Sequence, residues 1–168
     1  GELLVELEIK MSALPQEPLQ ESSVLSLAET LLGLQGAPQQ LLLEAHYHDD
    51  SEGLLRTAGW ALRARREGAK LVATAKGPEQ NRDGVAARPE INEVIEQLPG
   101  PGEPLPGSLV AALREAGLSI HCWPGAQWVT EVRRTFVDVG LPGGGTAELA
   151  IDHGRVYSGK RSHPICEL

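Results

Sequence analysis

Between Arg56 and Lys76 the chain carries six basic side chains, Arg56, Arg63, Arg65, Arg66, Lys70 and Lys76, against one acid, Glu67. Arginine forks take phosphate oxygens two at a time and lysine adds a compact charge, so this cluster has the chemistry to hold a phosphorylated anion. A solvated hairpin face would have the same composition. Three further stretches bring charges close together: Glu6, Glu8 and Lys10 at alternate positions near the start, Glu131, Arg133 and Arg134 later, and Glu148 and Asp152 on one strand face near the end.

The elements that must position these groups follow from periodicity. In a strand, side chains alternate between faces. Gly1 to Met11 therefore puts Leu3, Val5, Leu7, Ile9 and Met11 on one side and Glu6, Glu8 and Lys10 on the other. An edge strand with its ionic face in water would read the same way, but later strands repeat the pattern with the opposite charge. After Pro15 and Pro18, Ser22 or Ser23 is the expected cap of a helix with Val24, Leu25, Leu27, Ala28, Leu31 and Leu32 at helical spacing, ended by Gly33 and Gly36. Leu41 to His48 reads as a strand, Asp49 to Gly53 as a polar turn, and Leu54 to Ala58 as a short helix closed by Gly59. Trp60 to Glu67 and Leu71 to Lys76 form a hairpin about Gly68, with Ala61, Arg63 and Arg65 on one face.

Residues 77–84 read as a loop. Pro89, within Val85 to Val94, favours an edge or irregular stretch. Leu98 to Gly107 is a linker, and Ser108 is the expected cap of a helix over Leu109 to Ala116, with Gly117 just past its end. Leu118 to Val139 is strand-like in two pieces hinged near Pro124 and Gly125, and its mixed faces leave open whether Arg133 or Arg134 points inward. Gly143 to Gly145 is a turn, not a phosphate-binding loop, because no helix and no lysine with serine or threonine follow it. Thr146 to His153 places Glu148, Ala150 and Asp152 opposite Ala147, Leu149 and Ile151, with Asp152-His153-Gly154 ending the strand. Pro164 to Leu168 is a last short strand.

At 168 residues and 41% hydrophobic, the chain is long enough for one domain with a sizeable core, mainly aliphatic because aromatics are only 4%. A net charge of -8 opposes broad binding to nucleic acid or anionic membrane, so an anionic ligand needs a local basic site. Cys122 and Cys166 are too few for a disulfide framework, and a reducing cytosol is the expected compartment. No apolar run approaches the roughly 18 to 20 residues of a membrane span. Gly1 in place of a start methionine points to a processed or trimmed chain.

Strands with one apolar and one ionic face, together with helices bearing apolar stripes, are satisfied by an α+β fold. Its expected form is a closed antiparallel β-barrel with a polar lumen and helices packed outside. Charges in such a lumen must be paired, solvated or bound to ions.

Glu6-Leu7-Glu8-Ile9-Lys10 resembles the Glu-x-Glu-x-Lys signature of the CYTH superfamily, the triphosphate tunnel metalloenzymes. The resemblance continues in family order through Tyr47-His48-Asp49, Leu55-Arg56, Ala61 to Arg65, Thr74-Ala75-Lys76, Arg88-Pro89-Glu90, Glu148 to Asp152 and Pro164 to Glu167. It is greatest to the bacterial inorganic triphosphatase branch, in which a helical CHAD domain often follows. It implies a single CYTH domain over residues 1–168, cut short in its last strand, where relatives carry further glutamates. A CHAD domain and a homodimer partner are possible companions.

The resemblance further implies that Lys10, Arg63, Arg65, Lys76, Arg88 and one of Arg133 or Arg134, preferably Arg134, grip the triphosphate. Glu6, Glu8 and Glu167 would hold Mg²⁺ or Mn²⁺, and Glu148 and Asp152 would support a second ion or the attacking water. Arg88 and Glu90 fit either that site or a structural ion pair. The implied reaction is hydrolysis of inorganic triphosphate to diphosphate and phosphate in the cytoplasm. The alternatives are a class IV adenylate cyclase, a thiamine triphosphatase, or a non-catalytic triphosphate or polyphosphate binder. The five histidines lack metal-ligand spacing and read as structural or surface residues.

Overall fold

Alternating apolar and polar residues set the strands of the computed structural model, which describes residues 20–159 and 161–167, with backbone alone at Arg82, Cys166 and Glu167. The strand expected over Gly1 to Met11, with Glu6, Glu8 and Lys10, lies outside the described residues. In chain order the elements are α1 (Glu21–Leu31), β1 (Leu34–His48), α2 (Leu54–Thr57), β2 (Ala61–Glu67), β3 (Lys70–Lys76), β4 (Gln80–Arg82) and β5 (Val85–Ala87). There follow β6 (Glu90–Ile95), α3 (Gly107–Glu115), β7 (Ala126–Gly140), β8 (Thr146–Ser158) and β9 (Arg161–Glu167). The fold is α+β, dominated by a seven-stranded sheet in the order β6-β3-β2-β1-β7-β8-β9. The pairs β1–β2, β2–β3 and β3–β6 are antiparallel. Among the described strands this order has two ends, β6 and β9, and displays no closure into a barrel. No helix among the described residues is long and apolar enough to cross a membrane.

The chain divides into two compact units. The larger, Leu42–Val132 with Arg155–His163, holds the main core. Here Leu62 and Ala64 of β2 and Ala73 and Ala75 of β3 meet Leu55 of α2 and Leu109 and Leu113 of α3, with Trp60, Leu105, Leu118 and Trp123 completing the cluster. Leu109 and Leu113 stand four residues apart, on one helical face, and both are fully buried. Gly117, at φ +82, lets the chain turn out of α3, and the Leu118 N–H closes onto the Leu113 carbonyl at 2.8 Å.

The smaller unit comprises the described residues of Gly1–Leu41, Arg133–Gly154 and Pro164–Leu168. Among the described residues its core is formed by Ala28 of α1 and Val137 and Val139 of β7, supported by Leu25, Leu34, Ala147 and Leu149. Leu27 and Leu31 of α1 stay exposed.

Several boundaries differ from those expected. Ser22 and Ser23 do not cap α1; Gln20 holds the cap position without a side-chain bond, and both serines lie in the first turn. Gly33 ends α1, but Gly36 belongs to β1, which starts seven residues earlier than expected because Leu34 docks on the small core. Ser108 lies inside α3, whose cap position is Pro106, and its hydroxyl donates instead to the Glu93 carboxylate. The loop expected over residues 77–84 contains β4, paired with β5 across the Asp83-Gly84 turn. Both turn residues have positive φ, +53 and +79, which suits a two-residue hairpin. The stretch 118–124 is not a strand beyond a bridge between Cys122 and Pro104. Finally, β8 does not stop at Gly154 but runs to Ser158.

Gly77 marks the base of the β4–β5 arm. Its N–H donates to the Pro89 carbonyl at 2.8 Å. A Cβ there would lie 2.5 Å from the Pro89 ring and 2.8 Å from Trp60, so only glycine fits without displacement.

Candidate anion-binding site

Register places the predicted basic residues of the larger unit. Tyr47, Arg63, Thr74 and Asn92 form one cross-strand row from β1 to β6, and Ala45, Arg65, Val72 and Val94 form the next. Ala61, Lys76 and Glu90 form the row on the other side of Arg63. Same-face rows are about 7 Å apart, since a strand advances about 3.4 Å per residue. Three cations, Lys76, Arg63 and Arg65, thus occupy three consecutive rows of one face. The opposite face carries Leu62, Ala64, Ala73 and Ala75 into the core, so the sheet separates charge from oil as the periodicity requires.

The six basic residues do not form one patch. Arg66 has the wrong parity and lies exposed on the opposite face, and Arg56 is on α2. Arg65 is paired: its Nε donates to Glu67 Oε1 at 2.7 Å and its Nη2 lies 2.5 Å from the same oxygen. Arg63 is different. Its Nε is buried and has no hydrogen-bond partner among the described residues. A buried donor without an acceptor is costly, and an anionic oxygen on this face would satisfy it. Beside it, the Thr74 hydroxyl donates to Asn92 Oδ1 at 2.6 Å, and the Tyr47 ring stacks on Trp128 with centroids 5.4 Å apart.

Arg88 is exposed in the segment between β5 and β6 and is not on the row that carries Lys76. Glu90 is opposite Lys76 in register. No ion pair between Arg88 and Glu90 occurs among the described residues.

In the smaller unit, Arg134 and not Arg133 is the half-buried arginine of β7; Arg133 is exposed. Arg134 Nε donates to Asp152 Oδ1 and Nη2 to Oδ2, both at 2.8 Å. Glu148 shares the β8 face of Asp152 by parity and is exposed. The β9 backbone includes Glu167, but its side chain lies outside the described residues, as do Glu6, Glu8 and Lys10.

No group of three or more metal-ligating side chains gathers among the described residues. The fit of a divalent metal therefore turns on carboxylates outside them.

Two features escaped sequence reasoning. Glu67 is two residues from Arg65 on the same strand, and that spacing was the available signal for the ion pair. The second is a cleft of about 220 Å³ lined by Asp49, Asp50, Arg56, Gln127, Trp128 and Ser158 among others. Its floor is built by Asp49, which is buried and accepts from the N–H groups of Leu55 and Arg56 at 3.0 and 3.1 Å, so it fixes the start of α2. Asp50 accepts from Leu54 N–H at 2.8 Å.

His48, next to this turn, is structural. Its Nδ1 lies 2.8 Å from the Pro124 carbonyl, so that nitrogen carries the proton; Nε2 is buried with no partner among the described residues, and the ring meets Trp123 edge-on. Burial lowers its pKa below the ordinary histidine value; the Pro124 bond acts the other way, and His46 adds slightly to the lowering.

No family profile and no curated protein matches the chain. Solved structures do. The crystal structure of a "putative adenylate cyclase" from Bacillus halodurans superposes with a TM-score of 0.57 at 17% identity, over 96% of this chain and 79% of that one. A Hippeastrum protein, described as a "putative adenylyl cyclase" with a dominant triphosphatase activity, matches with a TM-score of 0.44 at 19% identity, over 90% of this chain and 76% of its own. The Bacillus likeness establishes a shared fold.

Proposed function

We propose that this chain is a CYTH-superfamily triphosphate tunnel metalloenzyme that hydrolyses inorganic triphosphate to diphosphate and phosphate. The observation that carries the reading is Arg63, a half-buried guanidinium whose Nε has no partner among the described residues, set between Arg65 and Lys76 on the polar face. A fold shared with the Bacillus structure, along with the motif order of the sequence, supports the same reading.

In this reading Arg63, Arg65, Lys76 and Lys10 bind the phosphate oxygens in the lumen of the closed barrel that the sequence implies, with Arg134 and Arg88 contributing. Their fixed positive charge offsets the negative charge that develops as water attacks the terminal phosphorus in line with the departing diphosphate. Glu6, Glu8 and Glu167 would hold Mg²⁺ or Mn²⁺, which when bound would supply further positive charge against the substrate. Glu148 orients the attacking water. The protein would act in the cytoplasm on a small molecule and not on nucleic acid or membrane, with a CHAD domain and a second copy of the chain as candidate companions.

Phosphate release from tripolyphosphate, thiamine triphosphate and ATP, each with Mg²⁺ or Mn²⁺ and again with chelator, tests this. Metal-dependent orthophosphate from tripolyphosphate is the expected result. Cyclic AMP from ATP would make it a cyclase, preferential thiamine triphosphate cleavage a thiamine triphosphatase, and calorimetric binding without turnover a binding module.

A further inference from the structure

Asp152 and Arg134 stand on neighbouring strands, and their bond is a fork-to-fork pair with both carboxylate oxygens engaged. Asp152 is the more enclosed partner, its side chain 15% exposed against 32% for Arg134. The flanking β8 residues Ala147 and Leu149, together with Val137 and Val139 of β7, pack with Ala28 of α1, and Ile151 is fully buried. Both strands are thereby anchored on their apolar side, and the pair is fixed on the other.

Resting on the triphosphate reading, we infer that Asp152 is a positioning residue for Arg134, and neither a ligand of a second metal ion nor the base for water. A guanidinium has five N–H donors in a rigid plane. Asp152 takes Nε–H and one N–H of Nη2, which fixes the plane and the edge that Arg134 presents. Three further N–H groups of the guanidinium do not face Asp152. An arginine on a free four-bond stem would lose more side-chain freedom on gripping a phosphate than one already held in place. The carboxylate therefore strengthens anion binding in spite of its own negative charge.

That sign gives the test. Tripolyphosphate affinity is measured by calorimetry on the 168-residue chain in chelator, so that no metal role can contribute. If Asp152 acted only through its charge, or only as a metal ligand, Asp152→Asn would bind tripolyphosphate as tightly as wild type or more tightly. Positioning predicts the reverse: several-fold weaker binding for Asp152→Asn, partial recovery in Asp152→Glu, and weakening on the order of tenfold for Arg134→Ala, the scale of a lost charged hydrogen bond. In the Arg134→Ala background, Asp152→Asn should cause no further loss. Arg134→Lys keeps the charge but not the fork, so the effect of Asp152→Asn should shrink there too; its thermal midpoint is recorded alongside to exclude misfolding. Unchanged or tighter binding by folded Asp152→Asn overturns the positioning role while leaving the triphosphate reading intact. Failure of wild type to bind tripolyphosphate overturns both.

Discussion

The two units treat their arginines in opposite ways. In the larger, Arg63 keeps a buried Nε with no partner among the described residues, over a core that includes Leu55, Leu62, Leu109, Leu113 and two tryptophans. In the smaller, Arg134 is bound edge to edge by Asp152, and among the described residues the buried cluster of that unit is Ala28, Val137 and Val139. An unsatisfied buried donor costs about 1–3 kcal/mol, which is tolerable where large apolar side chains stabilise the same strands and poorly tolerated where they do not. Within the described residues, the orphaned donor lies over the larger packed cluster and the paired arginine lies with the smaller one.

The contrast in cores is the easiest part to break. Leu113→Ala should cost about 2–5 kcal/mol in urea unfolding, because it empties a fully enclosed position. Val137→Ala should cost only about 1–2 kcal/mol, two methylene equivalents of burial. Equal losses would refute the claim that one unit carries most of the stability.

The contrast in arginines is next. Arg63→Ala should weaken tripolyphosphate binding about 10- to 100-fold by calorimetry, while its unfolding midpoint stays level or rises, since the orphaned Nε leaves with the side chain. A fall in midpoint with unchanged affinity would make Arg63 a structural residue.

A smaller effect sharpens the account of the larger unit. His48 in the unfolded chain takes up a proton as pH falls through about 6.5, whereas the folded site, buried and with its proton already on Nδ1, resists. The unfolded state then binds more protons. Stability contributed by neutral His48 is thus present above about 6.5 and is lost as pH drops toward the lowered folded value. Urea midpoints between pH 7 and pH 5 should fall more steeply in wild type than in His48→Phe; parallel slopes would remove His48 from the explanation.

The smallest change concerns α1. Gln20 has the extended backbone of a cap residue, φ -89 and ψ 124, and no cap bond. Gln20→Asp should add about 0.5–1 kcal/mol, and no gain would show that the α1 start does not limit the smaller unit.

Face assignment was legible in the sequence because it depends on parity alone. Arg63 and Arg65 opposite Leu62 and Ala64, and Asp152 and Glu148 opposite Leu149 and Ile151, are all where alternation puts them. Helix starts were less legible. Ser22, Ser23 and Ser108 are good cap residues by type, yet each lies inside its helix, because docking of the apolar stripe sets the first turn and overrides the local preference. The length of β1 was hidden by Gly36 and Pro38, which look like breakers but lie within the strand. Pairing was least legible. Nothing in composition distinguishes Arg63, whose Nε has no partner among the described residues, from Arg65, beside Glu67, until the register is known. The choice between Arg133 and Arg134 likewise needed the packing of Val137 and Val139 to say which side of β7 is apolar.

The seal formed by Gly77, Pro89 and Trp60 isolates what lies beyond it. Residues 78–88 leave the sheet and return through a single fixed neck, so their length and sequence can drift without disturbing the row of Lys76 or the register of β3 with β6. A change of length in that arm would be absorbed there, leaving the pairing of β2 with β3 and of β3 with β6 as it is.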